Sequence, residues 1–356
     1  MVPYFVMVLV PYALFFAFDI NDIKPLSDAR FSRRITVTSF FLLLIFLLAF
    51  RDVTCGTDLV RYEEKFMEAG TTAWSEVFVA EKDVGYYVFQ KLIRSVTSHF
   101  GFFLALVAVL SLAPIWFFYR KEVENPILAI ALFITVAPFT MYFSGLRQIL
   151  AMALVIPAWY CAKHKKWWLF ILTVLVTAAF HSSGCIIALI YPLYHARITK
   201  KWLLLLTPTM LLVLVLNKPL FRMLLSLVGD SGYEMTDTGA YTVLILLVLF
   251  TAYSFIIPDE ATMDADTAAM RNILVLSVFL QCFAPVHTLA MRVNYYFLLF
   301  IPVLIPRIAH RAKPVWIFMA RLSVAVMTVF FTVWFFLQGY LGADELNVFP
   351  YVFRYA

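Results

Sequence analysis

The sequence predicts an all-α, polytopic integral membrane protein with about twelve transmembrane helices. Of its 356 residues, 63% are hydrophobic and only 14% are charged, and the mean hydropathy is +0.88. Soluble domains carry about 25% charged residues. Apolar stretches recur along the whole chain, and a bilayer core of about 30 Å needs about 20 apolar residues per helix. Helices are expected because backbone polar groups in lipid must be satisfied within each segment.

We interpret residues 1–356 as a single transmembrane domain. Residues 2–18 lack a basic n-region and a small-residue cleavage site, so they are expected to form a first span rather than a signal peptide. Two longer outer segments are predicted, at 51–99 with interfacial helices and at 217–239 as a possible lid. The predicted spans are 2–18, 35–50, 100–119, 126–142, 146–161, 167–180, 183–195, 202–216, 240–257, 272–288, 293–309 and 315–337.

The distribution of charge predicts which side each loop faces. A break at "HSSG" (181–184) turns residues 167–195 into a hairpin and places the basic runs "KHKK" and "HARITKK" on one side. With both termini outside, the cytoplasmic segments hold 17 of the 28 basic and 9 of the 22 acidic residues. Their net charge is then +8, against −2 for the outer segments. Cytoplasmic loops collect Lys and Arg, so this topology is self-consistent.

The same topology gathers unusual polar residues at the outer face. The stretch "FRDVTCGTDLVRYEEKF" (50–66) places several charges within a dozen residues of an apolar run. "SGLRQ" (144–148), His181, Arg292 and "FPYVFRYA" (349–356) lie on the same predicted side. The cytoplasmic loops are short and basic and lack such a mixture. A functional site is therefore expected at the outer face.

Arg147 follows the turn "SGL" between two apolar spans. It could be a snorkelling anchor, as Arg side chains at helix ends often are. The short turn favours an anion site instead, because the guanidinium fork suits phosphate oxygens. A helix starting near Gly145 would add its N-terminal amides, and Gln148 would add a further donor. Arg51 and Arg292 also end spans on the outer side, and either alone would be read as an anchor. Three arginines on one membrane face suggest an anionic ligand at the lipid surface, and a lipid diphosphate would fit.

Asp58 and Tyr62 lie four residues apart and share one face if this loop is helical. Asp58 could simply cap that helix, or it could serve as a general base or sugar ligand. Asp83, in "DVGYYVF", is a weaker candidate at the start of an interfacial helix with a tyrosine belt.

His181 lies at the apex of the proposed hairpin, where it could transfer a proton. A metal role is not expected, because no second His stands at ligand spacing. The sequence has no Gly-rich nucleotide loop, GxSxG elbow or HExxH motif, which argues against a nucleotide-driven pump or a metalloprotease. We expect no cofactor and no nucleic-acid partner.

The chain resembles the EpsG family of bacterial membrane proteins, which belongs with the Wzy-type polysaccharide polymerases. The resemblance runs from about Arg51 to the C-terminus. The blocks that carry it occur in the order "RDVTCGTDLVRYEEKF", "DVGYYVFQKLI", "SGLRQILAMAL", "AFHSSGCIIALIYPL", "MRVNYYFLLFIPVLIP" and "FPYVF". Leu59 stands where the family often has an aromatic residue, and Asp83 stands where a Glu is expected.

This resemblance implies a glycosyltransferase that joins repeat units carried on undecaprenyl diphosphate, with a GT-C-like architecture. It would act at the outer face of the bacterial inner membrane, with a flippase and a Wzz-like chain-length regulator as possible partners. The implied catalytic residues are Arg147 and either Asp58 or His181. The implied substrate-binding residues are Arg51, Tyr62, Gln148, Arg292 and Tyr351.

Three alternatives remain from the sequence. A flippase or transporter of the same lipid-linked sugars would need polar groups along a path across the membrane. The spans here are nearly free of charge in their middles, which favours an outward-facing enzyme. A ligase that moves finished glycan to another acceptor would use the same arginines. A silent scaffold would tolerate loss of the outer arginines.

Overall fold

The computed structural model describes residues 1–20, 29–79, 82–227, 240–342 and 346–354. Within these ranges the chain is helical, with two isolated β-bridges and no named strand. The helices are α1 (Val2–Ile20), α2 (Ala29–Phe50), α3 (Leu59–Glu68), α4 (Trp74–Phe78), α5 (Val84–Val96), α6 (Phe100–Glu122), α7 (Pro126–Thr135), α8 (Met141–Ser144), α9 (Leu146–Ala153), α10 (Val155–Lys163), α11 (Trp167–Phe180), α12 (Ile190–His195), α13 (Lys200–Val215), α14 (Asn217–Leu227), α15 (Tyr241–Ile256), α16 (Ala265–Gln281), α17 (Thr288–Leu298), α18 (Ile301–His310) and α19 (Ile317–Leu341).

The length and composition of the helices identify a helical, multi-pass membrane protein. Three described helical stretches are long and apolar enough to cross a bilayer, at Arg30–Phe50, Phe100–Glu122 and Pro314–Leu341. Two further pairs of helices are long and apolar enough only when each pair is taken together. Each pair is bent at its junction, α13 with α14 by 80° and α17 with α18 by 50°. Four shorter apolar helices are α1, α7, α11 and α15. The count of twelve spans and the GT-C-like architecture stay predictions.

Two predicted spans are each divided between two helices, and a proline lies near each division. The span expected at 126–142 is wrong as one helix, because α7 ends at Thr135 and the chain turns before α8. Pro138 explains this end, since it has no amide proton and disfavours helical geometry at the preceding residue. The span expected at 293–309 divides between α17 and α18, where Pro302 lies in the first turn of the second helix.

The hairpin predicted at "HSSG" is confirmed. Helix α11 ends at Phe180, His181 is extended, and a 3-10 segment (Ser182–Leu189) returns against α11. The return brings His195 back to the start of the hairpin, where its Nε2 lies 3.1 Å from the carbonyl oxygen of Ala162. The basic segments before and after the hairpin therefore lie at the same end of the molecule.

Helices α7 and α18 are among the most buried in the described part of the chain. Residues 126–134 of α7 and 301–308 of α18 are all buried, and α7 packs against α1, α2, α18 and α19. A helix that is apolar on all sides belongs in the interior. The surrounding helices carry exposed apolar side chains, as expected for surfaces that face lipid.

Ion pairs between described residues join segments of the same predicted side. At the end predicted to be cytoplasmic, Arg307 pairs with Glu122, and Arg311 pairs with Asp264 at 2.7 Å. At the end predicted to face outward, Arg354 pairs with Glu63 at 2.6 Å. This grouping agrees with the sidedness predicted from loop charge. Of the possible lid at 217–239, α14 covers the first part and residues 228–239 lie outside the described ranges.

Candidate functional site

The predicted outer segment 51–99 forms three short helices, α3, α4 and α5, over one end of the molecule. Ser144 fastens its first turn, since the Ser144 hydroxyl lies 2.8 Å from Thr57 Oγ1 and donates to Asp58 Oδ2 at 3.1 Å. Gly56 has a φ of +127°, and a Cβ there would meet the carbonyl oxygen of Phe143 at 2.0 Å. Glycine therefore permits the close approach between the backbones of Gly56 and Phe143.

Asp83 is the centre of a polar cluster drawn from three distant segments. Its side chain is only 4% exposed, and its Oδ2 accepts from Arg147 Nη1 at 2.8 Å. The same oxygen lies 3.3 Å from His181 Nδ1, and Oδ1 accepts from the Ser182 amide at 2.8 Å. The backbone at Asp83 has a φ of 60°, a left-handed conformation that Asp adopts more readily than most residues.

The surroundings of Asp83 favour its ionised form. Burial by itself raises the pKa of this carboxyl group, because it removes water from the charge. Hydrogen bonds from His181 and the Ser182 amide, together with the charge of Arg147, outweigh burial and hold the pKa below its ordinary value of 3.8. Asp83 is therefore a carboxylate that can hold both a guanidinium and an imidazole in fixed orientations.

Arg147 is in the first turn of α9, which begins after Gly145 as the sequence predicted. Its side chain is 34% exposed, so part of the guanidinium faces solvent. Nη1 bonds Asp83, and Nε donates to the Tyr62 hydroxyl at a long 3.4 Å. Within the described residues Nη2 has no hydrogen-bond partner. The remaining donor can therefore bind an anionic ligand.

Gln148, next along α9, points to a different neighbour. Its Nε2 donates to the carbonyl oxygen of Arg292 at 2.7 Å, while its buried Oε1 has no partner in the described part of the chain. The Arg292 side chain is half-buried, and its guanidinium makes no ion pair or hydrogen bond with any described residue. Gln148 thus ties the backbone of one candidate arginine to the helix that carries the other.

Asp58 and Tyr62 lie beside this cluster on α3. Asp58 occupies the N-cap position, but its side chain makes no capping hydrogen bond and instead accepts from Ser144. The Tyr62 ring packs edge-on against Tyr86 at 5.9 Å, and burial raises the pKa of Tyr62 despite the nearby charge of Arg147. Tyr62 is therefore a neutral neighbour of the arginine.

Arg51 and Tyr351 lie elsewhere, where the C-terminal segment crosses the end of α2. Arg51 is 1% exposed and donates from Nη1 to the carbonyl oxygen of Leu48 at 2.5 Å. Burial lowers the pKa of Arg51 to about 10. Tyr351 donates to the carbonyl oxygen of Leu47 at 2.8 Å. Neither side chain contacts Asp83, Arg147 or His181, so their substrate-binding roles stay predictions.

A cavity of about 520 Å³ opens beside Arg147, between α3, α4 and α5. Its described lining is polar and mixed in charge, and consists of Lys65, Glu68, Ala69, Thr72, Glu76, Val77, Lys82, Tyr87, Gln90 and Arg147. Sequence reasoning did not select most of these residues, because they are spread over α3, α4, α5 and the turns between them. It also ranked Asp83 below Asp58, although the Asp-x-Gly start of an interfacial helix was a usable signal.

The comparison with protein-family models gives one match, to the model described as the EpsG family, over residues 34–353. This span contains every candidate residue described above. Comparisons with curated proteins and with solved structures return no match.

Proposed function

The chain belongs to the EpsG family, and we propose that it is a polysaccharide polymerase acting on lipid-linked repeat units. Family membership indicates a polymerase-type role in polysaccharide biosynthesis. The finer proposal is that a growing glycan leaves undecaprenyl diphosphate and is joined to the sugar of an incoming lipid-linked unit. The reaction would occur at the outer face of the bacterial inner membrane, where a flippase delivers the units and a Wzz-like protein regulates chain length.

The observation that carries this proposal is the cluster of Arg147, Asp83 and His181 beside a polar cavity. A transfer from a lipid diphosphate needs a cationic group where negative charge develops and an acceptor for one proton. The cluster contains both, held by one buried carboxylate. Each comes from a different outer segment, so the fold has assembled them at one place.

Arg147 is assigned to the diphosphate. The bond between the anomeric carbon and the phosphate oxygen breaks, and the electron pair leaves with undecaprenyl diphosphate. Donors that are fixed before the reaction stabilise this developing charge without reorganising. Asp83 fixes Arg147 through Nη1, which leaves Nη2 for the phosphate oxygens. Arg292, whose guanidinium has no partner among the described residues, is a second ligand for the same group.

His181 is assigned as the general base. The acceptor hydroxyl loses its proton as its oxygen bonds to the anomeric carbon, and the proton moves to the imidazole. In the tautomer that carries hydrogen on Nδ1, His181 donates to Asp83 and presents Nε2 as the acceptor. Asp58 remains the alternative base. Its carboxylate accepts from Ser144 and makes no ion pair or hydrogen bond with an imidazole or guanidinium in the described part of the chain, which favours His181.

The test is a gel assay of the purified protein in detergent with lipid-linked repeat units from its own host, without nucleotide sugar. We expect a ladder of products and its loss with Arg147→Ala. Arg61→Ala is the matched control, because Arg61 is an exposed arginine of the neighbouring helix α3 that does not line the cavity.

A full ladder from Arg147→Ala would overturn the assignment of Arg147. No ladder from the wild-type protein, together with movement of the same lipids across liposomes, would identify a flippase. A single transfer of glycan to a different acceptor would identify a ligase.

A further inference from the structure

The cavity beside Arg147 contains a buried polar group that the protein leaves without a partner. Gln90 lines the cavity from α5 and is 1% exposed, the lowest value among the lining residues. Its Nε2 is buried and has no hydrogen-bond partner within the described residues. An amide donor buried without a partner costs about 1–3 kcal/mol. The Gln90 side chain therefore lies at the cavity wall with hydrogen-bonding capacity that no described residue uses.

The cavity wall is held in shape from behind by Lys91. Its Nζ donates to the carbonyl oxygens of Ala69 at 3.0 Å and Thr72 at 2.6 Å, and it lies 5.3 Å from the ring centroid of Trp74. These contacts join α5 to the turn between α3 and α4. The wall is therefore built from three helices that a buried cation fastens together, and the cavity does not depend on one surface loop.

The lining offers hydrogen-bonding groups and charges of both signs to a saccharide. Carboxylates of Glu68 and Glu76 can accept from sugar hydroxyls, and Gln90 and Lys82 can donate to them. Tyr87 offers an aromatic face for a sugar ring. Three lysine and arginine side chains also line the cavity, and Lys65 pairs with Glu68 at 2.6 Å, so the lining presents charges of both signs. The volume of about 520 Å³ is within the usual 300–1,000 Å³ of small-molecule sites.

We propose that this cavity binds the saccharide of the incoming acceptor unit, with Gln90 as a sugar-recognition residue. This inference deepens the proposed polymerase function and rests on it. Arg147 lies on the cavity wall and is joined to His181 through Asp83, so a sugar hydroxyl at that end of the cavity approaches both groups. The donor diphosphate then approaches Arg147 from the side that the cavity does not occupy.

Binding is measured separately from transfer. The probe is the free repeat-unit oligosaccharide released by mild acid from the lipid-linked substrate, titrated against the detergent-purified protein by saturation-transfer NMR. We expect Gln90→Leu to weaken binding about tenfold, because the hydrogen bond to the sugar is lost. The thermal midpoint of the ligand-free protein should stay the same or rise, because the substitution removes a buried donor that has no partner among the described residues. Glu64→Gln is the control, since Glu64 is exposed on α3 and does not line the cavity.

A second variant separates this inference from the polymerase proposal. His181→Ala should keep oligosaccharide binding within about threefold, because His181 does not line the cavity, and should lose the product ladder. Unchanged binding in both Gln90→Leu and Glu68→Gln would overturn the cavity as the sugar site, even if polymerisation is established. If binding depends on Gln90 but the wild-type protein forms no ladder, the saccharide site would be supported and the polymerase function would be rejected.

Discussion

Asp83 and Arg147 are 64 residues apart in the chain, yet Arg147 Nη1 lies 2.8 Å from Asp83 Oδ2. The pair joins the outer segment to the first turn of α9, and the same carboxylate oxygen lies 3.3 Å from His181 Nδ1. One buried carboxylate therefore sets the positions of a cation and an imidazole.

Replacing Asp83 with Asn should lower both stability and activity. The amide keeps the shape of the side chain but loses the charge that holds Arg147 and His181. Hydrogen bonds to charged groups contribute about 1.5–3 kcal/mol, so a loss of that size is expected in thermal unfolding in detergent. Asp52→Asn is the control, because among the described residues the Asp52 carboxylate accepts hydrogen bonds only from Thr54, in its own turn. Equal stability of the two variants would contradict a structural role for the Asp83 charge.

The pH dependence of stability should carry the signature of Asp83. Its pKa in the folded protein lies below the ordinary 3.8, because the surrounding donors outweigh burial. A lowered folded pKa adds stability that is fully present above the ordinary value and is lost as the pH falls through the folded value. The difference in unfolding temperature between wild type and Asp83→Asn should therefore be constant above about pH 5 and shrink below about pH 4. A difference that grows on acidification would contradict this sign.

His181→Ala should lower the polymerisation rate by about 100-fold or more, as expected for removal of a general base. Asp58→Asn should lower the polymerisation rate far less, since the amide oxygen can still accept a hydrogen bond from Ser144. Single-turnover rates with one batch of lipid-linked substrate compare the two variants. An inactive Asp58→Asn beside an active His181→Ala would exchange their assignments.

Arg292→Ala should lower turnover by about tenfold without changing thermal stability. The Arg292 guanidinium has no partner among the described residues, so its removal breaks no protein contact, whereas a charge-assisted bond to phosphate would be lost. Arg222→Ala on α14 is the control, as an exposed arginine on the same predicted side. A drop in unfolding temperature with full activity would show that Arg292 serves the fold instead.

Gly56→Ala should destabilise the protein by about 3 kcal/mol or more, because its φ of +127° is available almost only to glycine. The added Cβ would also meet the Phe143 carbonyl oxygen at 2.0 Å. Gly342→Ala is the matched comparison, since Gly342 also has a positive φ, of +66°, but a Cβ added there would have no other described atom within 4 Å. The free energy of unfolding of Gly342→Ala should fall by about 1 kcal/mol. Equal unfolding temperatures of the two variants would exclude close contact at Gly56.

The fold class and much of the organisation could be predicted from the sequence. Apolar length identified a helical membrane protein, and the hairpin at His181 followed from the requirement that basic loops share a side. The spans at 126–142 and 293–309 were placed too simply, because apolar content does not show where Pro138 or Pro302 interrupts helical geometry. The candidate site was partly predicted, with Arg147 and His181 selected.

By itself, the sequence determined that the chain is a helical membrane protein with its unusual polar residues on one predicted side, because hydropathy and charge are properties of each local segment. The tertiary structure alone decided that Asp83 meets Arg147 and His181 while Arg51 is buried apart from them. Which carboxylate reaches which cation depends on how helices pack and on the rotation of each helix about its axis. Those quantities are set by contacts between segments 64 and 98 residues apart, which no local pattern contains.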